Sequence, residues 1–169
     1  MRSPIESRLA YQVSMVRSRR LAEGYVPDQA WGSALRKRWP MRLMCEMSCG
    51  PGWHDLVVGL NELLDVEADE SFRFTQIKEK FGQLRAYWHG ADPTGVIDQL
   101  VDAAEEISAS MCETCGAHAK MRATRPGGYI HAACDEHAIA GSEIIRVKTE
   151  KIPTSVGRIR STSTEPRDD

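Results

Sequence analysis

The chain has 169 residues, of which 41% are hydrophobic and 27% are charged, and its net charge is −2. These values are close to the averages for globular proteins, and the length suits one domain or a compact body with a small appended module. No apolar run is long enough to span a bilayer, and the N-terminus lacks the apolar core of a secretory signal. We therefore expect a cytoplasmic protein that does not associate with membranes.

Charge is distributed unevenly along the chain. Residues 1–43 carry nine Lys or Arg and three Asp or Glu, residues 44–111 carry four and thirteen, and residues 112–169 carry nine and eight. A basic arm of this kind can contact nucleic acid. Alternatively, the basic and acidic segments face each other or form solvated helix faces. The near-neutral total favours this alternative, because dedicated nucleic-acid binders are strongly basic.

Residues 1–43 are predicted to form a basic helical segment. Ser3, Pro4 and Glu6 have the pattern of a helix start, with a capping residue, a proline at the first helical position and a capping box. Apolar residues then recur at helical spacing, and Gly24 is a plausible stop. The rest of the segment is predicted to be irregular or weakly helical. Its candidate contacts for nucleic acid or a protein partner are Arg17, Arg19, Arg20, Arg36, Lys37 and Arg38.

Residues 44–111 are predicted to form an α/β body of helix, hairpin and helix. The Cys-Gly-Pro-Gly sequence at residues 49–52 is a strong turn signal, and the apolar stripe that follows over residues 53–64 predicts an amphipathic helix. Residues 65–71 are predicted to be an acidic connection.

The second half of this body is predicted to contain the hairpin and the clearest helix of the chain. Residues 72–88 alternate like two strands around a turn at residues 79–82, where Gly82 can adopt a positive φ. Residues 94–111 are predicted to be a helix that runs directly into Cys112. The acidic residues predicted to face away from its core side are Asp98, Asp102, Glu105 and Glu106.

Two ligand pairs in the last third of the chain predict a metal site. Cys112 and Cys115 form a C-x2-C pair, and Cys134 and His137 form a C-x2-H pair that follows after an interval of 18 residues. Zinc binds four such ligands in a tetrahedron, and the spacing is a specific signal for it. Buried thiols and a redox C-x2-C pair are the weaker alternatives. Four protein ligands leave no open position, so we expect one structural zinc ion per chain.

The predicted fold class follows from these elements. We expect an α+β protein in which helices pack with a β-hairpin, plus a C-terminal zinc ribbon or treble-clef-like module over residues 112–150 that docks on the body. Residues 125–128 are the predicted tip of a hairpin between the ligand pairs. Residues 144–148 are predicted to form a last strand, and residues 153–169 are predicted to be a disordered tail because they are rich in Ser, Thr, Arg and Pro.

Further histidines, cysteines and cations in the sequence are weaker candidates for ligands or contacts. His118 or His131 could replace a ligand, although each is more typical of a surface or supporting residue. Cys45, Cys49 and His54 suggest a second metal site, but their spacing is uncommon for ligands and simple packing is favoured. The cations between the ligand pairs are further candidate contacts for nucleic acid or a partner: Lys120, Arg122 and Arg125.

Several stretches resemble a family of uncharacterised bacterial and phage or prophage proteins. They are CGPGWHDL from Cys49, QIKEKFGQLR from Gln76, CETCG from Cys112 and CDEHA from Cys134. The resemblance covers about residues 45–138. It implies a mobile-element or phage origin, a bacterial host cell and a regulatory or counter-defence role, and it supplies no mechanism.

Three functions remain open from the sequence. The favoured one is a non-enzymatic, zinc-stabilised binding protein that engages an unidentified protein partner. The second is a nucleic-acid-binding accessory protein that uses the basic residues named above. The third is a small enzyme, such as a nuclease or transferase, with its site near Lys78, Lys80, Arg85 and His89. The third is less favoured because the common nucleotide-binding, metalloprotease and hydrolase motifs do not occur.

Overall fold

The computed structural model describes residues 2–146. Within them the protein is a mixed α+β fold, with four α-helices and two three-stranded sheets. The helices are α1 (Pro4–Ala22), α2 (Trp31–Arg38), α3 (His54–Glu67) and α4 (Val96–Ser108). The strands are β1 (Met47–Ser48), β2 (Arg73–Lys80), β3 (Gln83–His89), β4 (Lys120–Ala123), β5 (Ile130–Ala133) and β6 (Glu143–Ile144). The predicted tail and the end of the predicted last strand lie outside the described residues.

Helix α1 begins and ends where the sequence predicts. The Ser3 hydroxyl oxygen accepts a hydrogen bond from the Glu6 backbone nitrogen at 3.1 Å, which satisfies one of the free donors of the first turn. Beyond the last turn, Gly24 has a φ of 66°, the left-handed conformation that closes many helices. The buried face of α1 carries Leu9, Val13 and Val16, and it packs against α3 and α4.

The basic N-terminal segment faces the acidic helix α3, as one of the two alternatives predicts. Glu62 accepts hydrogen bonds from Arg19 of α1 at 2.6 Å and from Arg38 of α2 at 2.8 Å. Arg8 pairs with Glu67 at 2.6 Å. Glu67 lies on the helix because α3 continues through residues 65–67, which we expected to form part of a connection. The uneven charge of the sequence is thus largely an arrangement of ion pairs between neighbouring helices.

The predicted hairpin is confirmed, and it forms a sheet with the order β1-β2-β3. Lys80 pairs with Gln83, so Phe81 and Gly82 are the whole loop, with φ angles of 54° and 76°. Two positive φ angles in succession are typical of a type I′ turn. Strand β1 pairs with β2 in parallel, and α4 packs against β3.

Glu105 corrects the helical pattern predicted for α4. It is only 7% exposed, whereas we expected it to face solvent. Its carboxylate accepts hydrogen bonds from the Ala86 backbone nitrogen at 3.0 Å and from Arg85 at 3.2 Å. Burial raises the pKa of the Glu105 carboxyl, although these two contacts act in the opposite direction. The glutamate therefore joins the helix to strand β3.

The second sheet has the order β5-β4-β6 and follows α4. A small buried cluster of Cys112, Ala119, Ala132 and Ala133 lies beside the main core. Helix α4 ends at Ser108, so the expectation that it runs directly into Cys112 is wrong by about one turn. None of the helices in residues 2–146 combines the length and the apolar character needed to cross a membrane.

Candidate metal centre

The structure brings the four predicted ligands together. One donor atom from each of Cys112, Cys115, Cys134 and His137 lies within 4.8 Å of all the others. The sulfur atoms of Cys115 and Cys134 are 3.8 Å apart, and the Cys134 sulfur is 3.1 Å from Nδ1 of His137. This group could hold a metal ion. Cys112 is fully buried, whereas Cys115 and His137 lie at the surface.

A tight backbone loop holds the first ligand pair. The Gly116 nitrogen donates to the Cys112 carbonyl oxygen at 2.7 Å, and Gly116 has a φ of 75°, which suits glycine. Burial by itself would raise the pKa of the Cys112 thiol. Backbone hydrogen bonds at Cys134, Cys115 and Thr114 outweigh it and lower that pKa to about 7. Backbone nitrogens of both ligand segments therefore favour the thiolate, which is the form that binds metals.

The pKa of the Cys115 thiol, the second of this pair, is shifted upward instead. Burial is the main cause that raises the pKa of Cys115 to about 11, and the neighbouring Cys112 and Cys134 thiols add to it. Three thiolates so close together repel one another. A cation held by this group would remove the repulsion, and its binding would release protons from the thiols.

The turn at residues 49–52 packs directly on this loop. A Cβ atom at Gly52 would lie 2.6 Å from both the Glu113 carbonyl oxygen and the Gly116 nitrogen, and closer still to the Cys112 carbonyl oxygen. The Gly52 nitrogen also donates to the Glu113 carbonyl oxygen at 2.7 Å. The glycine is therefore required by close approach, and the sequence alone indicated only a turn.

Two further contacts attach the ligand loop to the helices. The Trp53 indole nitrogen donates to the Met111 carbonyl oxygen at 3.0 Å, and Trp53 is fully buried. The Arg17 guanidinium donates to the Gly116 carbonyl oxygen and also lies 3.4 Å from the Asp55 carboxylate. Helix α1 and the start of α3 are thus both connected to the loop that carries Cys112 and Cys115.

Asp55, at the start of α3, binds three basic side chains: Arg17, Arg20 and His54. Burial by itself would raise the pKa of its carboxyl, but hydrogen bonds from His54 and Arg20 outweigh burial and lower it from 3.8 to about 2. The Arg20 guanidinium makes a bidentate salt bridge with the Asp55 carboxylate, with N–O distances of 2.7 and 2.9 Å. A cavity of about 150 Å³ lies beside this pair and Cys115. Its charged side chains already bind one another, so the cavity carries no ligand assignment.

The hairpin tip packs against strands β4 and β5 of the second sheet. A Cβ atom at Gly82 would lie 3.0 Å from the His131 backbone and 2.6 Å from the Met121 side chain. The Gly82 nitrogen donates to the Glu79 carboxylate at 2.6 Å. The Lys-Glu-Lys-Phe-Gly motif of the sequence therefore forms the β2–β3 turn, which packs closely against strand β5.

Neither of the alternative histidines joins the ligand group. His131 lies in β5, is 5% exposed and stacks on Tyr129 with ring centroids 5.5 Å apart. Its ring nitrogens have no hydrogen-bond partner within the described residues. Burial lowers the pKa of His131, which favours the neutral ring. His118 lies opposite Met111 in an isolated β-bridge.

Cys45, Cys49 and His54 do not form a second cluster. Among residues 2–146, the four-ligand group is the one set of His, Cys, Asp or Glu side chains close enough to share a metal. His54 instead bonds to Asp55 at 2.9 Å and meets the Tyr25 ring edge-on. Burial raises the pKa of the Cys49 thiol to about 12, in keeping with a packed thiol.

Most of the candidate contact cations are already paired. Arg17, Arg19, Arg20 and Arg38 bind carboxylates of α3, and Lys120 and Arg122 bind Asp135. Arg36 donates to the Ser33 hydroxyl at 3.0 Å. Lys37 and Arg125 are exposed. Between residues 2 and 146, ion pairs are found for six of the nine candidates, the exceptions being Arg36, Lys37 and Arg125.

The hairpin residues proposed for an enzymatic site are not gathered. Lys80 lies at the turn, whereas His89 lies at the far end of β3, opposite Arg73. Arg73 is about 20 Å from Lys80 along strand β2, so Lys80 and His89 cannot share a site. Arg85 is bound to the buried Glu105.

Comparisons with models of known protein families, with curated proteins and with solved structures find no match for the chain.

Proposed function

We propose that this chain is a non-enzymatic binding protein whose C-terminal module is a zinc ribbon or treble-clef-like fold, stabilised by one structural zinc ion. The observation that supports this proposal most directly is that the donor atoms of Cys112, Cys115, Cys134 and His137 lie within 4.8 Å of one another. Three thiolates and an imidazole suit zinc, which prefers sulfur and nitrogen ligands in a tetrahedron. Zinc–sulfur bonds of about 2.3 Å in a tetrahedron place two sulfurs about 3.8 Å apart. The Cys115–Cys134 separation of 3.8 Å supports this geometry.

A structural role for the zinc is supported by the way the ligands are held. The tetrahedron is filled by four protein donors, so water or substrate has no position on the ion. The ligand loop is fastened to the body by Gly52, Trp53 and Arg17. The small core around it is made mostly of alanines, which bury little apolar surface. Metal binding therefore supplies folding energy that this module otherwise lacks.

Action through a protein partner is the second part of the proposal. The resemblance to phage and prophage proteins adds a regulatory or counter-defence role in the cytoplasm of a bacterial host. A tagged full-length chain, purified from such a host, is expected to retain a specific protein that binds again when both purified proteins are mixed. Cys134→Ser is expected to lose that partner, and Cys45→Ser, which lies outside the ligand group, is expected to keep it. Failure to retain any specific protein contradicts the proposal.

Nucleic-acid binding is the competing function, and the ion pairs work against it. Each paired arginine must give up a carboxylate before it can meet a phosphate. A nucleic-acid binder has an affinity that falls steeply with added salt. We expect no such salt-dependent binding to single- or double-stranded DNA or RNA at low salt. Binding that weakens with salt and is lost in a Lys37→Glu/Arg125→Glu variant would favour this competing function instead.

A further inference from the structure

One side of the sheet β1-β2-β3 is buried in the core, and the other side meets solvent. The register of β2 and β3 places Phe74, Ile77, Leu84 and Ala86 on the buried side. The residues that alternate with them lie on the opposite side, where they are exposed or half-buried. We define the outer sheet face by the cations and the tyrosine on that side: Arg73, Lys78, Lys80, Arg85 and Tyr87.

The outer sheet face carries positive charge and no carboxylate from its own strands. Its four cations are all the Lys and Arg residues of positions 44–111. Glu79 is the one acidic residue in β1, β2 and β3, and it lies opposite Leu84 on the buried side. Glu46 immediately precedes β1, and it forms no ion pair within residues 2–146.

Three of these cations have no carboxylate partner in the described part of the chain: Arg73, Lys78 and Lys80. The fourth, Arg85, is bound by Glu105. The arginines of α1 that face α3 are, by contrast, each paired with a carboxylate of that helix. The outer sheet face therefore brings three unpaired cations together, and an anionic partner complements it in charge.

The exposed edge of this sheet is closed to a partner strand. The Leu84 backbone nitrogen donates to the Ser108 hydroxyl at 2.8 Å, and the Ala86 backbone nitrogen donates to the Glu105 carboxylate at 3.0 Å. Strand β2 lies between β1 and β3, so it has no free edge beside them. A partner would therefore contact the side chains of the outer sheet face, and would not extend the sheet through backbone hydrogen bonds.

We propose that the outer sheet face binds an acidic, extended segment of a protein partner, with carboxylates at alternate positions. This inference rests on the proposed function and adds the surface and the chemistry of the partner. Lys78 and Lys80 are two residues apart on β2, which separates them by about 7 Å. Side chains at alternate positions of an extended partner have the same spacing, so two carboxylates meet both ammonium groups. Arg73, nearer the other end of β2, meets a third.

The aromatic rings on and beside this face favour an acidic segment over a nucleic acid. Single-stranded nucleic acids bind proteins largely by stacking bases on exposed aromatic rings. The Lys78 ammonium lies over the Tyr87 ring, 5.5 Å from its centroid, and the Lys80 ammonium lies over the Phe81 ring at 5.3 Å. These two rings are therefore covered on one side by the cations, which remain free to bind carboxylates.

Fluorescence anisotropy with a defined probe tests the proposal on the full-length chain. The probe is a labelled eight-residue peptide of alternating glutamate and threonine, and its control replaces every glutamate by glutamine. At low salt we expect the acidic probe to bind and the control to bind at least about tenfold more weakly. Lys78→Glu/Lys80→Glu should weaken the acidic probe at least about tenfold, whereas Lys78→Arg/Lys80→Arg should retain it.

Lys37→Glu/Arg125→Glu is the matched control, because it makes the same change of charge at exposed residues outside the face. It is expected to keep most of the affinity for the acidic probe. Absence of binding at about 1 mM protein, or equal weakening in both glutamate variants, overturns the proposal. Single-stranded oligothymidylate that binds more tightly than the peptide, through the same lysines, also overturns it and identifies a nucleic-acid surface.

The retained partner of the proposed function separates the two claims. A partner that Lys78→Glu/Lys80→Glu still retains overturns the assignment of this face and leaves the proposed function standing. A wild-type chain that binds the acidic probe but retains no specific protein contradicts the proposed function and supports the face. Tryptophan fluorescence under native conditions checks that each variant is folded.

Discussion

Gly52→Ala tests whether the loop at residues 112–116, which carries Cys112 and Cys115, is rigidly packed against the turn at residues 49–52. The added Cβ would stand 2.6 Å from the Glu113 carbonyl oxygen, so the two backbones must separate by at least about 0.5 Å. Overpacking of this kind costs about 1–3 kcal/mol. Loss of the hydrogen bond from Gly52 to Glu113 adds about 1 kcal/mol. We expect the free energy of unfolding to fall by about 2–4 kcal/mol.

Urea unfolding followed by tryptophan fluorescence measures this loss, because the buried Trp53 lies next to the substituted residue. Competition with a chromogenic chelator measures zinc affinity, which we expect to fall at least about tenfold. Gly32→Ala is the matched control. Its Cβ would lie 3.1 Å from the flexible end of Met47 and 3.6 Å from the Met47 Cβ, and alanine suits helix α2 better than glycine. Wild-type stability and zinc affinity in Gly52→Ala would refute the docking.

Three other substitutions probe the body. Phe81→Asn is expected to stabilise the protein by about 0.5–1 kcal/mol in thermal unfolding, because asparagine tolerates the left-handed conformation of a type I′ turn better than phenylalanine; a loss of stability would contradict this. Glu105→Ala is expected to cost about 2–3 kcal/mol in urea unfolding, since it leaves the buried Ala86 nitrogen without its acceptor. The pKa of the Asp55 carboxyl is about 2 in the folded protein and 3.8 ordinarily, so its stabilisation is complete above about pH 5 and is lost as pH falls through 2. The stability lost in Asp55→Asn, about 2 kcal/mol at neutral pH, should therefore fall to a small fraction of that value at pH 2, and a difference that keeps its neutral-pH size there would contradict the assignment.

Local signals in the sequence were sufficient for many elements. The start of α1 depends on Ser3 and Glu6, which are neighbours in the chain. The hairpin depends on alternation and on a glycine at its turn. The ligand group also follows from local pairs, because each C-x2-C or C-x2-H segment places two donors on one loop. Such features require little knowledge of distant contacts.

The remaining features depend on contacts between distant residues. Glu105 has the pattern of a solvated residue, and only the buried backbone nitrogen of Ala86, which donates to its carboxylate, explains why it is buried. Gly52 reads as a turn residue, and the reason for its lack of a side chain is the backbone of Cys112 and Gly116. Helix α3 continues to Glu67, and the carboxylate of this last residue pairs with Arg8 of α1. Periodicity within one segment carries none of this information.

The central claim is that Cys112, Cys115, Cys134 and His137 bind one zinc ion that holds the C-terminal module together. Elemental analysis combined with native mass spectrometry of the full-length chain, purified under reducing conditions, tests it most directly. The account predicts about one zinc per chain, retained in Cys45→Ser and lost in Cys134→Ser. A wild-type chain without zinc after growth in zinc-replete medium, or undiminished zinc in Cys134→Ser, would contradict it.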